Sequence, residues 1–126
     1  MMTDEIQDEA ADIRAIADHV VALAKAGDFD AIGETYWDDD VISFEAAESP
    51  MAVCDGIEAV RAKTAWWSSA HEVHGGDAQG PWVNGDQFTV RFTMDVTVKA
   101  TGERIPMDEI ALYTIDDGLI IEERFF

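Results

Sequence analysis

Basic residues are scarce in this chain. Its 126 residues include 8 Lys and Arg against 27 Asp and Glu, a formal net charge of −19. A field of that sign repels phosphate backbones and anionic lipid, which speaks against nucleic-acid and membrane-surface roles. Cysteine is nearly absent: Cys54 alone can form no intrachain disulfide and shows no metal-ligand spacing. No apolar run approaches the roughly 18–20 residues of a membrane span. The opening MMTDEIQDEA also lacks the positive charge and apolar centre of a signal peptide. There is no glycine-rich phosphate loop, and Ser68, Ser69 and Cys54 have no base pattern beside them, so nucleophilic catalysis has no support. A cytoplasmic domain working without metal or cofactor is the expectation.

No repeat, linker or low-complexity segment divides residues 1–126, so one domain is expected. Ile6, Ala10, Ile13, Ile16, Val20 and Leu23 recur at helical spacing, with acids crowding the first turns, where the helix dipole favours them. Gly27 stops this helix and Asp28 caps a short second one through about Trp37. VISFEA, residues 41–46, reads as a strand. AESPMAVCD reads as irregular, and Asp55 is placed as the cap of a third helix with the stripe Ile57, Val60, Thr64 and Trp67.

From His71 onward the pattern is β. Phe88, Val90, Phe92, Met94, Val96 and Val98 alternate with Thr89, Arg91, Thr93, Asp95, Thr97 and Lys99, and VNGD, ATG and DDG mark hairpin turns. Segregated helices and strands predict an α+β fold: a cone-shaped roll, with three N-terminal helices packed on a curved, mostly antiparallel sheet that encloses a pocket.

The strand PMDEIALYTID carries two adjacent acids, Asp108 and Glu109, and alternation sends one inward and one outward. A three-residue loop Ala100–Gly102 pairs Lys99 with Glu103 and sets Phe92 opposite Ile110 and Met94 opposite Asp108. Asp108 then shares the covered face with Ile110 and Leu112, and Glu109 sits outside near Arg91 and Tyr113. A two-residue turn swaps the acids. An inward Asp on an apolar wall is pushed toward its neutral form and becomes a hydrogen-bond donor; a structural partner explains it equally. The same parity question attaches to Glu122 and Glu123. A two-residue Asp117-Gly118 turn sends Glu123 inward, and a three-residue loop sends Glu122.

HVVALAKAGDFDAI, YWDDDVISFE, DGIEAVRAK, FTVRFTMDV and YTIDDGLIIEERFF together give the chain its resemblance to the nuclear-transport-factor-2-like superfamily, closest to its SnoaL-like, polyketide cyclase-like branch. The resemblance covers essentially the whole length. It implies a cofactor-free acid/base carboxylate in a hydrophobic pocket. Ketosteroid isomerases belong to the same superfamily, and their pattern places the general base at Glu45 and the neutral, oxyanion-binding acid at Asp108. In those isomerases an apolar site keeps that carboxyl protonated near neutral pH, so that it can donate a hydrogen bond. Their first-helix Tyr is replaced here by Val20, with His19 beside it, which argues against steroid isomerisation. The resemblance also favours Glu123 over Glu122 and implies a homodimer formed through the outer sheet face.

HEVH, residues 71–74, is one residue short of a helical zinc motif, and in a strand its histidines point to opposite faces, so no metal is expected; His74 is kept as a pocket candidate. Trp67 lies on the inward helical stripe, either as core or as a wall for flat ligands, whereas Trp66 is expected to face a loop or a partner chain.

The functional expectation is a cyclase- or isomerase-like acid/base enzyme acting on a small, mostly apolar carbonyl compound. Glu45 and Asp108 are the catalytic pair. His19, Trp67, His74, Val90, Phe92, Met94, Ile110 and Glu123 are the binding residues. The competing expectation is a non-catalytic ligand-binding or dimerisation module built on the same cone.

Overall fold

Alternation along FTVRFTMDV decides the sheet. In the computed structural model, which describes residues 2–126 and side chains from residue 12 onward, Phe88, Val90, Phe92 and Val96 are buried while the residues between them are not. They lie on β4 (Gln87–Val98), flanked by β3 (His71–Asn84) and β5 (Glu103–Asp116). β6 (Leu119–Phe125) lies beside β5, and β1 (Trp37–Phe44) and the short β2 (Val53–Asp55) complete a six-stranded sheet of order β2-β1-β6-β5-β4-β3. Only the β1–β6 pairing is parallel. The last strand is thus inserted between the first and the meander.

Two helices, α1 (Met2–Lys25) and α2 (Phe29–Tyr36), precede the sheet; α3 (Ile57–Ala70) falls between β2 and β3 rather than with them. Ala17, Val20, Val21 and Ala24 form the buried stripe of α1 with Ile13, Ile16 and Leu23 at its margin, and the helix lies against β3 and β4. Ile6 and Ala10 of the predicted stripe fall outside the residues whose side chains are described. Gly27 adopts φ +75°, the left-handed conformation that ends a helix cheaply only at glycine, and Asp28 caps α2 by accepting from the Ala31 N–H at 3.4 Å. Asp55 does not cap α3: it ends β2, inside the stretch read as irregular, and Gly56 takes the cap position without a side-chain bond.

Two turns fix which side chains face the helices. The β4–β5 loop runs over residues 99–102 and pairs Val98 with Glu103, one residue longer than the loop expected; Gly102, at φ +72°, closes it. The extra residue reverses every parity on β5, so Phe92 faces Glu109 and Met94 faces Met107. The β5–β6 turn is the two-residue Asp117-Gly118 (φ 51° and 77°), the twist-matched hairpin turn. An extra residue in β6 between the Ile115–Ile120 and Thr114–Glu122 pairs then places Glu123 opposite Tyr113 rather than Leu112.

Candidate functional site

A cavity of about 320 Å³ lies between the helices and the covered face of the sheet. Its wall is mostly apolar: Phe29 and Ile32 from α2, Trp66 and Trp67 from α3, Met51 from the segment before β2, Phe92 and Met94 from β4, Met107 from β5 and Phe125 from β6. Exposed Ala47, Ser49 and Ser68 and half-exposed Trp66 mark its mouth. Trp66 therefore lines this cavity in addition to facing outward, and Trp67 is held by stacking on His71 at 4.5 Å between ring centroids.

Polar groups on this wall are few and close together. Glu45, just past β1, accepts a hydrogen bond from Lys63 Nζ at 2.8 Å; Lys63, on α3, also donates to the Ser43 hydroxyl. Lys63 is 8% exposed, so a lysine in the core is anchored by a carboxylate and a hydroxyl, as buried charge requires. Glu123, 5% exposed, accepts from the Trp37 indole N–H at 3.3 Å. Burial pushes its carboxyl above the usual range; Lys63 and the hydrogen bonds from Ser43 and Trp37 oppose that rise, and Glu45 adds to it.

Glu109 faces the same cavity and makes no hydrogen bond or ion pair among the described residues. Burial, then the charge of Glu45, push its pKa up to about 7, with Lys63 opposing and Glu123 adding. Tyr113 is 3% exposed; burial, followed by Glu123 and Glu109, drives its phenol well above the ordinary value. Around neutral pH this is a greasy cavity in which one carboxyl is poised to hold or release a proton.

Of the predicted site residues, Glu45, Trp67, Phe92, Met94 and Glu123 line the cavity. Asp108 does not: it points outward and is gripped by Arg91 through two bonds of 2.9 and 2.6 Å, with the two side chains 56% and 44% exposed. That arginine holds its carboxyl below the usual range, the opposite of a neutral donor. Ile110, 43% exposed, shares the outer face because the same parity moved it there. Val90 is inward but packed in the core, away from the cavity wall. His19 pairs with the Tyr36 hydroxyl on the exposed side of α1, and His74 with Thr97 Oγ1 at 2.7 Å on the surface.

Lys63, Ser43, Trp37, Glu109 and Tyr113 belong to the site without having been expected there. Lys63 had a signal: it follows Val60 by three on the α3 stripe, and an inward lysine in a chain this acidic implies an inward acid. Glu109 and Tyr113 followed from one loop residue that sequence does not reveal.

Comparison with known proteins agrees with this architecture. A crystal structure from Mesorhizobium loti, of a protein called both a candidate SnoaL-like polyketide cyclase and a carbohydrate phosphatase, is 55% identical, with TM-score 0.88 over 90% of this chain and 97% of that one. A candidate isomerase from Bacillus subtilis (19% identity, TM-score 0.72, 93% and 86% of the two chains) shares the fold. So does a Catenulispora acidiphila protein with a ketosteroid isomerase-like fold, in complex with trimethylamine (18%, TM-score 0.69, 88% and 83%). No curated protein matches the chain. The SnoaL-like domain matches residues 11–126, and the chain belongs to that family.

Proposed function

We propose that this protein is a cofactor-independent acid/base enzyme of the cyclase or isomerase kind, acting on a small, mostly apolar carbonyl compound in the cavity. The observation that carries this reading is Glu109: an unpaired carboxyl with a pKa of about 7 on an apolar wall that also carries Glu45. A carboxyl that keeps its proton up to about neutral pH can donate a hydrogen bond to charge developing on a carbonyl oxygen.

In this reading the Glu45 carboxylate takes a proton from the carbon beside the carbonyl. The C–H electron pair becomes the new C=C bond, and the carbonyl pair moves onto oxygen. Neutral Glu109 donates a hydrogen bond to that oxygen as charge develops, where an apolar surround makes the bond strong. Where a C=C bond is conjugated with the enolate, return of the proton from Glu45 to its far carbon isomerises the compound. Where a second carbonyl is in reach, the enolate carbon bonds to its carbon, that C=O pair moves onto oxygen, and the oxygen takes the proton from Glu45. The names carried by the Mesorhizobium loti and Bacillus subtilis proteins point the same way. A phosphate ester, by contrast, would meet three carboxyls and one ammonium on this wall, so the phosphatase label has no support in its charge.

One observation favours the alternative, a non-catalytic ligand-binding module: Lys63 holds Glu45 in an ion pair, a geometry suited to orienting as much as to proton transfer. Exchange of the α-hydrogens of cyclohexanone in D₂O separates the two. The enzyme reading expects the protein to accelerate exchange, Glu45→Gln to abolish that acceleration and Glu109→Gln, whose amide is a weaker donor, to reduce it. Bound ketone with no acceleration favours the module.

The outer face, where the Arg91–Asp108 and Asp95–Arg104 forks flank exposed Ile110, is the surface proposed for a homodimer. A molar mass near twice 13.9 kDa in light scattering is expected, and a reduced mass in Ile110→Lys.

A further inference from the structure

We infer that the natural ligand of this cavity carries a basic nitrogen and binds as a small, mostly apolar ammonium. This rests on the preceding reading only for the choice of cavity; joined to it, the substrate class is an amino ketone or amino aldehyde.

Charge on the wall comes first. Glu45, Glu109 and Glu123 face the cavity, and among the described residues Lys63 is the one cation there. Lys63 is bonded to Glu45 and Ser43, so Glu109 and Glu123 share its charge at a distance without an ion pair of their own among the described residues. Desolvated acids without a counter-charge are costly, and a ligand ammonium would supply one.

Aromatic faces come second. Phe29, Trp67, Phe92 and Phe125 line the same space, and rings attract ammonium groups through their negative faces. Lys63 Nζ already lies over the Phe125 ring, 5.1 Å from its centroid.

Independent of both is Tyr113. This side chain is 3% exposed and on the cavity wall, and its hydroxyl, which makes no hydrogen bond among the described residues, is not fully enclosed. A hydroxyl free of protein partners on a cavity wall is available to a ligand polar group, and the phenol oxygen can accept an ammonium N–H. The net charge of −19 adds a long-range field that concentrates cations and repels anions at the mouth.

A proton signature follows. The groups facing Glu109 are Glu45 beyond β1, Lys63 on α3, Glu123 on β6 and Tyr113 on β5. A cation bound among them favours the ionised carboxylate and draws the Glu109 pKa down from about 7, so binding near neutral pH releases part of a proton.

Three ligands with one ring test this by calorimetry on the full chain: cyclohexylamine, protonated at pH 7, with cyclohexanol and cyclohexanone. The amine is expected to bind at least about tenfold tighter than the alcohol. Its heat should depend on the ionisation enthalpy of the buffer, reporting the released proton. In Glu109→Gln most of the preference and the proton release disappear, while an unchanged circular dichroism spectrum shows the fold intact. If cyclohexanone binds and the amine is no tighter than the alcohol, the amine inference is overturned and the carbonyl reading survives. If the amine binds and the ketone does not, the inference holds and the carbonyl reading fails. Silence from all three overturns both, and a full preference retained in Glu109→Gln overturns the inference.

Discussion

Phe92 and Glu109 face each other across β4 and β5, so an acid stands beside an aromatic ring on the covered side of the sheet. Proton transfer, ligand preference and pH response all depend on that pairing, because the neighbouring Asp108 lies outside in the grip of Arg91.

Stability should fall as the pH rises through the range where Glu109 ionises. Its folded pKa, about 7, lies above the ordinary 4.5, so the folded state holds the proton more tightly. That contribution is fully present below about pH 4.5, declines as pH rises and is gone above about pH 7. Allowing for partial solvent access, it amounts to about 2 kcal/mol, and Glu123, also raised, adds in the same direction. Glu109→Gln should therefore raise Tm relative to the parent more at pH 8 than at pH 5, as read by circular dichroism.

Removing Lys63 should be costly in proportion to what it holds. Lys63→Met leaves Glu45 without its partner and Ser43 without its donor, a loss of about 2 kcal/mol in urea denaturation, given that Glu45 is partly exposed. Because Lys63 also restrains Glu109, the Glu109 midpoint should move up. Adding Glu45→Gln should recover part of the stability, and a double-mutant cycle measures how much.

Asp108→Asn should leave ketone binding and α-hydrogen exchange at parent levels, since that side chain contacts Arg91 and not the cavity. A loss of exchange as large as that of Glu109→Gln would mean the inner and outer acids have been exchanged.

A methyl group at Gly33 should disturb the site from behind. A Cβ there would come within 2.5–2.7 Å of the Trp37 ring, whose N–H bonds Glu123. Overpacking of this kind costs about 1–3 kcal/mol, and the better helix propensity of Ala offsets about 1 of it. Gly33→Ala should lower Tm and shift tryptophan fluorescence; an unchanged spectrum with raised Tm would show the indole moves freely.

The helix stripes, the caps at Gly27 and Asp28 and the alternation of β4 were legible because each is local, written within a few residues. Parity on β5 was not. It depends on whether the loop before Glu103 holds three residues or four, and ATG is compatible with both. One residue sent Glu109 and Tyr113 inward and Asp108 and Ile110 outward. Glu123 reached the cavity by a different route from the one expected: the bulge in β6 offset the reversed parity of β5, and hydrogen-bond patterns of that kind leave no mark in composition. The signal at Lys63, its place three residues after Val60 on the α3 stripe, was weak, since a lysine on a helix is ordinarily a solvated charge and only its partners Glu45 and Ser43 make its burial tolerable.

Titration of Glu109 by carboxyl ¹³C NMR, assigned by comparison with Glu109→Gln, bears most directly on all of this. A midpoint near 7 is expected, moving up in Lys63→Met. A midpoint near 4.5, the ordinary carboxylate value, would show a solvated acid and no proton held in the cavity at neutral pH.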